Sequence, residues 1–433
     1  MAQLMQLFVG GPMHARRTTT LLLVVCLLAG ACSGGLSSSG PKRNAAEAIT
    51  VWIMEPGVPK LKDFVTGAVA AFERANPGKD VRVQFVPWTA AHDQFVSAVG
   101  GGQVPDLAEM GTTWNPEFAS VGALEEINGP LEGYVPSLLD SATVGGKRYG
   151  LPWYAGARAF IYRKDVLVQL GLQPPQTWDE LVSVGRRVQQ RTGMHAFSVF
   201  GKGNHIFLPM IWQAGGEIAT QQNGRWTSAV DSPQAVRAIQ FYSDLFTKEK
   251  FAPSGALNWT SLDVRSAFVN GDLAMMVGGA WDLDAMLAAK PELRDKVGTT
   301  LVPAGPSGDR DAFAGGSNLV IFRKSAHKAL ARAFADFLLA PDRVKDFSTQ
   351  LGFLPGSMAG LQAEAASEDV LHAPFRTQLA EHSRQYPASP KWGTFEGENL
   401  FVSAVQEVMQ GRKTAPAAME EVAQKMNEAF ASG

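Results

Sequence analysis

Three observations in this sequence predict an α/β protein of two lobes. From Ile49 onward, short apolar, β-branched runs alternate with amphipathic helical periods, the pattern of parallel-type sheets covered by helices. The 433 residues exceed one ordinary domain and contain no repeat of fixed period. Finally, residues 150–165, "GLPWYAGARAFIYRKD", begin as a buried strand and break at Ala155-Gly156-Ala157. They resume as an aromatic, alternating strand with Arg158 at the joint. A joint of that kind reads as a hinge between two bodies.

The elements follow in order. "ITVWIM" from Ile49 is a strand, and Leu61, Phe64, Val65, Ala68, Val69 and Phe72 mark one face of a helix. "NPG" at 76–78 ends it, and Val81, Val83 and Phe85 alternate as the next strand. A helix around His92–Val99 leads through a Gly/Pro turn into the strand of "VPDLAEM". Asn115-Pro116 opens a further helix with a cap and a first-turn proline. Thr177 with Glu180 reads as a capping box, Ser232-Pro233 as a helix start, and Thr260 with Asp263 as another, closed by Gly271. "LAMMVGGAW" and "GGSNLVIF" are strands. Ser325 starts a helix through Leu338, which Ala340-Pro341 stops.

Apolar residues at 45% and charged residues at 18% make a core-forming chain. A formal charge of -2 without a basic block excludes a nucleic-acid binder. The two cysteines, Cys26 and Cys32, both lie near the N-terminus, so the body holds together without disulfides. Arg16-Arg17, an apolar run over 21–28 and the small residues Ala29, Gly30 and Ala31 form an export signal, too short for a stable membrane span. The arginine pair leaves the export route open, and Met1 and Met13 both remain candidate starts. "LAGAC" resembles the lipobox of bacterial lipoproteins. That resemblance implies a lipoprotein signal peptide over 1–31, cleavage before Cys32 and lipid on its thiol. A Gly/Ser tether spans 32–48.

Catalytic patterns are missing: no GxSxG, GxxxxGK[ST], HExxH or CxxC occurs. The histidines are scattered, and no metal or cofactor is expected. Glu396 and Glu398, at i and i+2, make a weak acid–base pair. Aromatic residues are instead concentrated near turns: Trp88, Trp114, Trp153-Tyr154, Trp281 and Trp392. At strand ends they would line a cleft. Aromatic faces beside a few polar groups suit sugar rings.

Seven pieces then occur together in order: "VPDLAEM…FASVGALEEI", "GKRYGLPW", "FIYRKDVLVQLGLQPPQTWDEL", "FVNGDLAMMVGGAW", "GGSNLVIFRKSAHKALARAFADFLLAP", "GFLPG" and the terminal "LFVSAVQEVMQGRKTAPAAMEEVAQKMNEAF". From Ile49 on, the chain resembles the solute-binding proteins of bacterial ABC importers serving carbohydrates and glycerol-phosphate compounds. The resemblance implies a two-lobed, type II periplasmic-binding-protein fold with discontinuous lobes: 49–156 and 279–315 in one, 157–278 and 316–433 in the other. The crossovers would be Tyr154–Arg158, Gly278–Trp281 and Ala314–Asn318, with Gly156, Arg158, Gly278 and Gly279 as hinge residues. It further implies a non-enzymatic receptor, lipid-anchored on the outer face of the cytoplasmic membrane, with permease subunits as partners. Ligand contacts would come from Glu55, Thr112, Thr113, Trp114, Tyr154, Trp281, backbone at Gly315 and Gly316, Arg384 and Trp392, while Asp106 would be structural. Sugar binders of the family often carry aspartate where this chain has Gly111 and Gly156, and an aromatic at Ser317. Sugar stays the favoured ligand, with an amino sugar, a sugar phosphate or a glycerophosphodiester as alternatives. A secreted glycan hydrolase and an adhesin are the competing classes.

Overall fold

The computed structural model describes residues 47–55, 60–129, 133–365 and 369–432. The expected signal segment, Cys32 and all but the last two tether residues lie outside them.

Among the described residues the larger sheet has six strands. Their order is Leu354–Pro355, Leu151–Gly156, Gly315–Ile321, Leu107–Gly111, Glu47–Glu55, Lys79–Pro87. Glu47–Glu55 is parallel to its two neighbours, while Gly315–Ile321 runs antiparallel between Leu107–Gly111 and Leu151–Gly156. The smaller sheet has the order Val297–Thr300, Arg158–Arg163, Leu273–Gly279, His195–Phe197. Helices cover both. Lys60–Ala75 buries Leu61, Phe64, Val65, Ala68 and Phe72, as its period predicts. Phe64 meets Phe347 and Phe72 meets Phe334 edge-on, at 5.2 and 5.1 Å between ring centroids. Around the smaller sheet a second core gathers Trp178, Val188, Tyr242 and Phe251 with Val405 and Met426 from the two C-terminal helices.

The local signals mostly hold. Thr177 and Ser232 cap their helices, and Thr260 with Asp263 forms a full capping box. Asp106 is structural: it accepts from the Thr50 N–H (2.8 Å) and from the Ser325 hydroxyl (2.6 Å). Ser325 is thereby spent outside the helix, which begins at Lys328 instead.

The expected lobe boundaries need correction. Val297–Thr300, placed with the first lobe, pairs with Arg158–Arg163 in the smaller sheet. Gly315–Ile321, divided between lobes at 315/316, lies wholly in the larger sheet, and Phe334 and Phe347 after it join that sheet's core. Gly278 and Gly279 pair with Ala159 and Arg158 inside the smaller sheet, so Gly278–Trp281 is no crossover. The chain passes between the sheets at Ala157, between Thr300 and Gly315, and again after Leu354–Pro355. On that last return Leu371 and Gln378 bond back to Thr299 and Val302. Hydrogen-bond ladders, not sequence order, decide which lobe a strand joins.

One buried carboxylate holds the larger sheet together. Glu109 is 1% exposed in the middle of a strand buried along its whole length. It accepts from the Met54 N–H (2.8 Å), the Ser317 hydroxyl (2.7 Å) and, at short range, the Tyr154 hydroxyl. Three strands thus converge on one side chain. Burial pushes its pKa up to about 7 from 4.5, although the three donors pull the other way. A raised carboxylate pKa favours the folded state while the group is protonated. Its contribution is therefore complete below about pH 4.5 and is lost as pH rises through about 7. Glu109→Gln, which imitates the protonated acid, should remove this decline. In urea titrations at pH 5 and pH 8, wild type should lose up to roughly 3 kcal/mol relative to the variant. Parallel pH profiles for the two proteins would contradict the raised pKa.

Candidate functional site

The strand directions bring one row of residues to a common edge of the larger sheet. The parallel strands end at Glu55, Pro87 and Gly111, and Gly156 pairs with Gly315 on the same edge. Trp88 opens the helix after Pro87, and Thr112, Thr113 and Trp114 follow Gly111. The indoles of Trp88 and Trp114 meet at 5.4 Å. In the smaller sheet Arg158 pairs with Gly279, and Trp281 lies just beyond. With Ala157 alone between Gly156 and Arg158, the two edges meet at that point.

Close approach of indole rings favours glycine at both 156 and 111. A β-carbon at 156 would lie 3.0 Å from the Trp281 ring, and one at 111 would lie 3.3 Å from Trp88. Indoles therefore sit over both places where sugar-binding relatives were expected to carry aspartate. Trp281 stacks on Phe353 at 5.2 Å and 20°, which joins the smaller sheet's edge to the larger sheet's core. The Arg158 guanidinium lies 5.2 Å from the Trp281 ring centre and 6.0 Å from that of Phe313. Arg158 keeps part of its surface in solvent, yet enough protein surrounds it that burial lowers its pKa. Phe313 stacks in turn on Tyr386 (4.1 Å, 6°) and on His205 (4.6 Å, 14°). Burial, then the Arg158 charge, push His205 well below its usual pKa, so its ring is neutral.

A second link spans the edges. Glu396, on the Trp392–Gly397 helix, accepts from the Thr113 hydroxyl (2.6 Å) and the Trp114 indole N–H (3.1 Å). Burial raises its pKa, and these donors offset part of that rise. His92 beside it bonds Glu117 at 2.9 Å. Burial opposes a charge on His92, but Glu117, Asp93 and Glu396 together raise its pKa.

The expected site residues divide accordingly. Thr113, Trp281 and Arg158 are partly exposed on the facing edges. Glu55 is at its strand end and pairs with Lys62 at 2.7 Å. Thr112 is buried and donates its N–H to the Gly316 carbonyl (3.1 Å). Gly315 and Gly316 are strand residues opposite Gly156 and Ala155. Arg384 pairs with Glu217 at 2.7 Å and lies over Trp212 at 5.0 Å. Three expectations are corrected. Tyr154 is 5% exposed, with its hydroxyl committed to Glu109, Trp392 is fully buried against Tyr386 and Phe401, and Trp114 is buried against Trp88, His92 and Phe95 with its indole N–H committed to Glu396. Their apolar surroundings turned all three rings into core.

Sequence reasoning passed over Glu109 and Phe313, and weighed Glu396 only as half of an acid–base pair. The structure does not pair Glu396 with Glu398, which is exposed. A lone carboxylate inside the apolar "LAEM" was the available signal for Glu109. Nothing local marks Phe313. No group of three or more potential ligands that could hold a metal occurs among the described residues.

With this geometry in view, similarity to known proteins is informative. A family model described as bacterial extracellular solute-binding protein matches residues 59–345. The diacetylchitobiose binding protein DasA of Streptomyces coelicolor is 25% identical over 406 residues, covering 90% of this chain and 92% of that protein. The ABC transporter solute-binding protein of Thermotoga lettingae, solved with α-D-tagatose, superposes with a TM-score of 0.80 at 28% identity, over 89% of this chain and all of that one. Maltose-bound MalE3 of T. maritima superposes equally well at 26% identity, with the same coverage. The two sheets linked by crossing segments are the type II periplasmic-binding-protein fold. This chain belongs to the bacterial extracellular solute-binding protein family.

Proposed function

We propose that this protein is the receptor of an ABC importer, capturing a sugar or sugar derivative between its two sheets and delivering it to the permease. One observation carries the ligand class: partly exposed indoles at Trp88 and Trp281 and the polar groups of Arg158 and Thr113 lie on the edges that meet at Ala157. Sugar rings have apolar C–H faces and a rim of hydroxyls, so they need both kinds of surface. DasA and the two sugar-bound neighbours support the same class. A hydrolase would need a paired acid and base. Glu396 is instead engaged by Thr113 and Trp114, so the receptor reading stands ahead of it. Cys32 would carry the lipid that keeps the receptor at the outer face of the membrane.

Trp281→Ala should weaken binding of the transported sugar by about 1 kcal/mol or more, the scale of one aromatic contact. Calorimetry against a saccharide library reads this, and unchanged affinity would remove Trp281 from the site. A saturating ligand should close the lobes about Ala157 and the two return segments, lowering the radius of gyration seen by solution scattering. Identical scattering curves would argue against a hinge. Cys32→Ala should release the protein from membranes or leave it unprocessed, since acyl chains contribute about 0.8 kcal/mol per buried CH₂. Unchanged membrane partition, with no acyl mass on the N-terminal peptide, would reject the anchor.

A further inference from the structure

We infer that the solute is an acidic sugar, carrying a carboxylate or a phosphate, and that Arg158 is the residue that receives its anionic group. This rests on the receptor reading above and narrows it.

The Arg158 guanidinium has five N–H donors and no acceptor. Among the described residues, no carboxylate, carbonyl or hydroxyl accepts a hydrogen bond from it; its close neighbours are the Trp281 and Phe313 rings. The carboxylate whose field reaches it is Asp282. That group is already engaged, accepting from the Gly279 N–H (3.0 Å) and from Arg265 (3.4 Å). Glu396 is turned to Thr113 and Trp114. His205 and Tyr386, which also face Arg158, are neutral near pH 7, the first with its pKa pushed down and the second with its pKa pushed up by burial. Among the described residues, the guanidinium of Arg158 thus has ring faces beside it but no hydrogen-bond acceptor at the junction of the two sheets.

Its surroundings make that charge available to a ligand. Tyr154, Gly156, Phe313 and Tyr386 are buried, whereas Arg158 and Trp281 remain partly exposed. The junction therefore presents a guanidinium and an indole to solvent. A ligand bound here strips water from both. A neutral sugar would leave a desolvated cation with no anionic hydrogen-bond partner, which is costly. An anionic group would neutralise it through charge-assisted, two-pronged hydrogen bonds while the ring lay on Trp281.

The test is calorimetry on the wild-type protein, Arg158→Gln and Arg158→Lys with matched probes. These are glucose, glucuronate and glucose 6-phosphate, and galactose, galacturonate and galactose 6-phosphate, each also as the corresponding disaccharide. Wild type should bind at least one acidic probe about tenfold or more tighter than its neutral partner. The carboxylate and phosphate arms show which anion is preferred. Arg158→Gln should erase the preference, with the acidic probe losing about tenfold or more affinity relative to its neutral partner. Arg158→Lys, which keeps the charge and loses the fork, should fall between them; it preserves the test if the glutamine variant melts early. Tightest wild-type binding to a neutral probe, or equal losses for acidic and neutral probes in the variants, would overturn the assignment and leave the receptor intact. Binding of none of the probes would overturn the sugar-receptor reading and this inference with it.

Discussion

Everything at the cleft edge of the larger sheet depends on the carboxylate of Glu109. It stands in an inner strand and takes one hydrogen bond from each of three other strands, the two beside it through Met54 and Ser317 and the next one over through Tyr154. On the cleft edge two of those strands end at Glu55 and Gly156, the antiparallel third begins at Gly315, and its own ends at Gly111. The register that lines these ends up is therefore pinned from inside by side-chain bonds as well as by the backbone ladder. Burying a carboxylate is costly, and its raised pKa shows that the three donors do not fully offset desolvation. What the arrangement supplies is a specified register, since a slip of one residue would leave the charge facing hydrocarbon.

The junction at Ala157 solves a spatial problem. Two sheets connected by one residue cannot both carry bulky side chains at their touching ends. Gly156 has none, and the Trp281 ring of the opposite sheet lies in that space. The indole is held from the far side by Phe353 and flanked by Arg158. Aromatic rings give a broad contact face at small cost in side-chain entropy, so such a wall is already ordered before a ligand arrives. At the other end, Glu396 reaches Thr113 and Trp114 from a helix rooted in the second core. The two sheets thus touch through the Trp281–Phe353 stack, the Glu396 hydrogen bonds and a small apolar cluster of Ala155, Ala157, Ala314, Leu354 and Leu379.

Much of this was legible in the sequence. Helix periods, caps and the strand–glycine–strand joint at 150–165 are local, because periodicity and hydrogen bonds to neighbouring residues set them, and they identified two α/β bodies. Seven short motifs in order then pointed to the family that the comparisons establish. Trp281 and Arg158 were visible as an aromatic and a cation beside small residues. What remained hidden was non-local. Val297–Thr300 and Gly315–Ile321 are both acceptable strands, and nothing in either says which sheet it will join. Tyr154 and Trp392 look like cleft aromatics in sequence, but Phe347 and Phe353 close over one, and Tyr386 and Phe401 over the other. The amino-acid order thus determined which segments become helices and strands, where the chain changes sheets at Ala157, and which residue types are present for binding. Only the tertiary structure decided which aromatics stay at the surface, that Glu396 meets Trp114 across 282 positions, and that Arg158 has no hydrogen-bond acceptor among the described residues. Burial and pairing are properties of neighbours brought together by strand ladders, and those neighbours are distant in the chain.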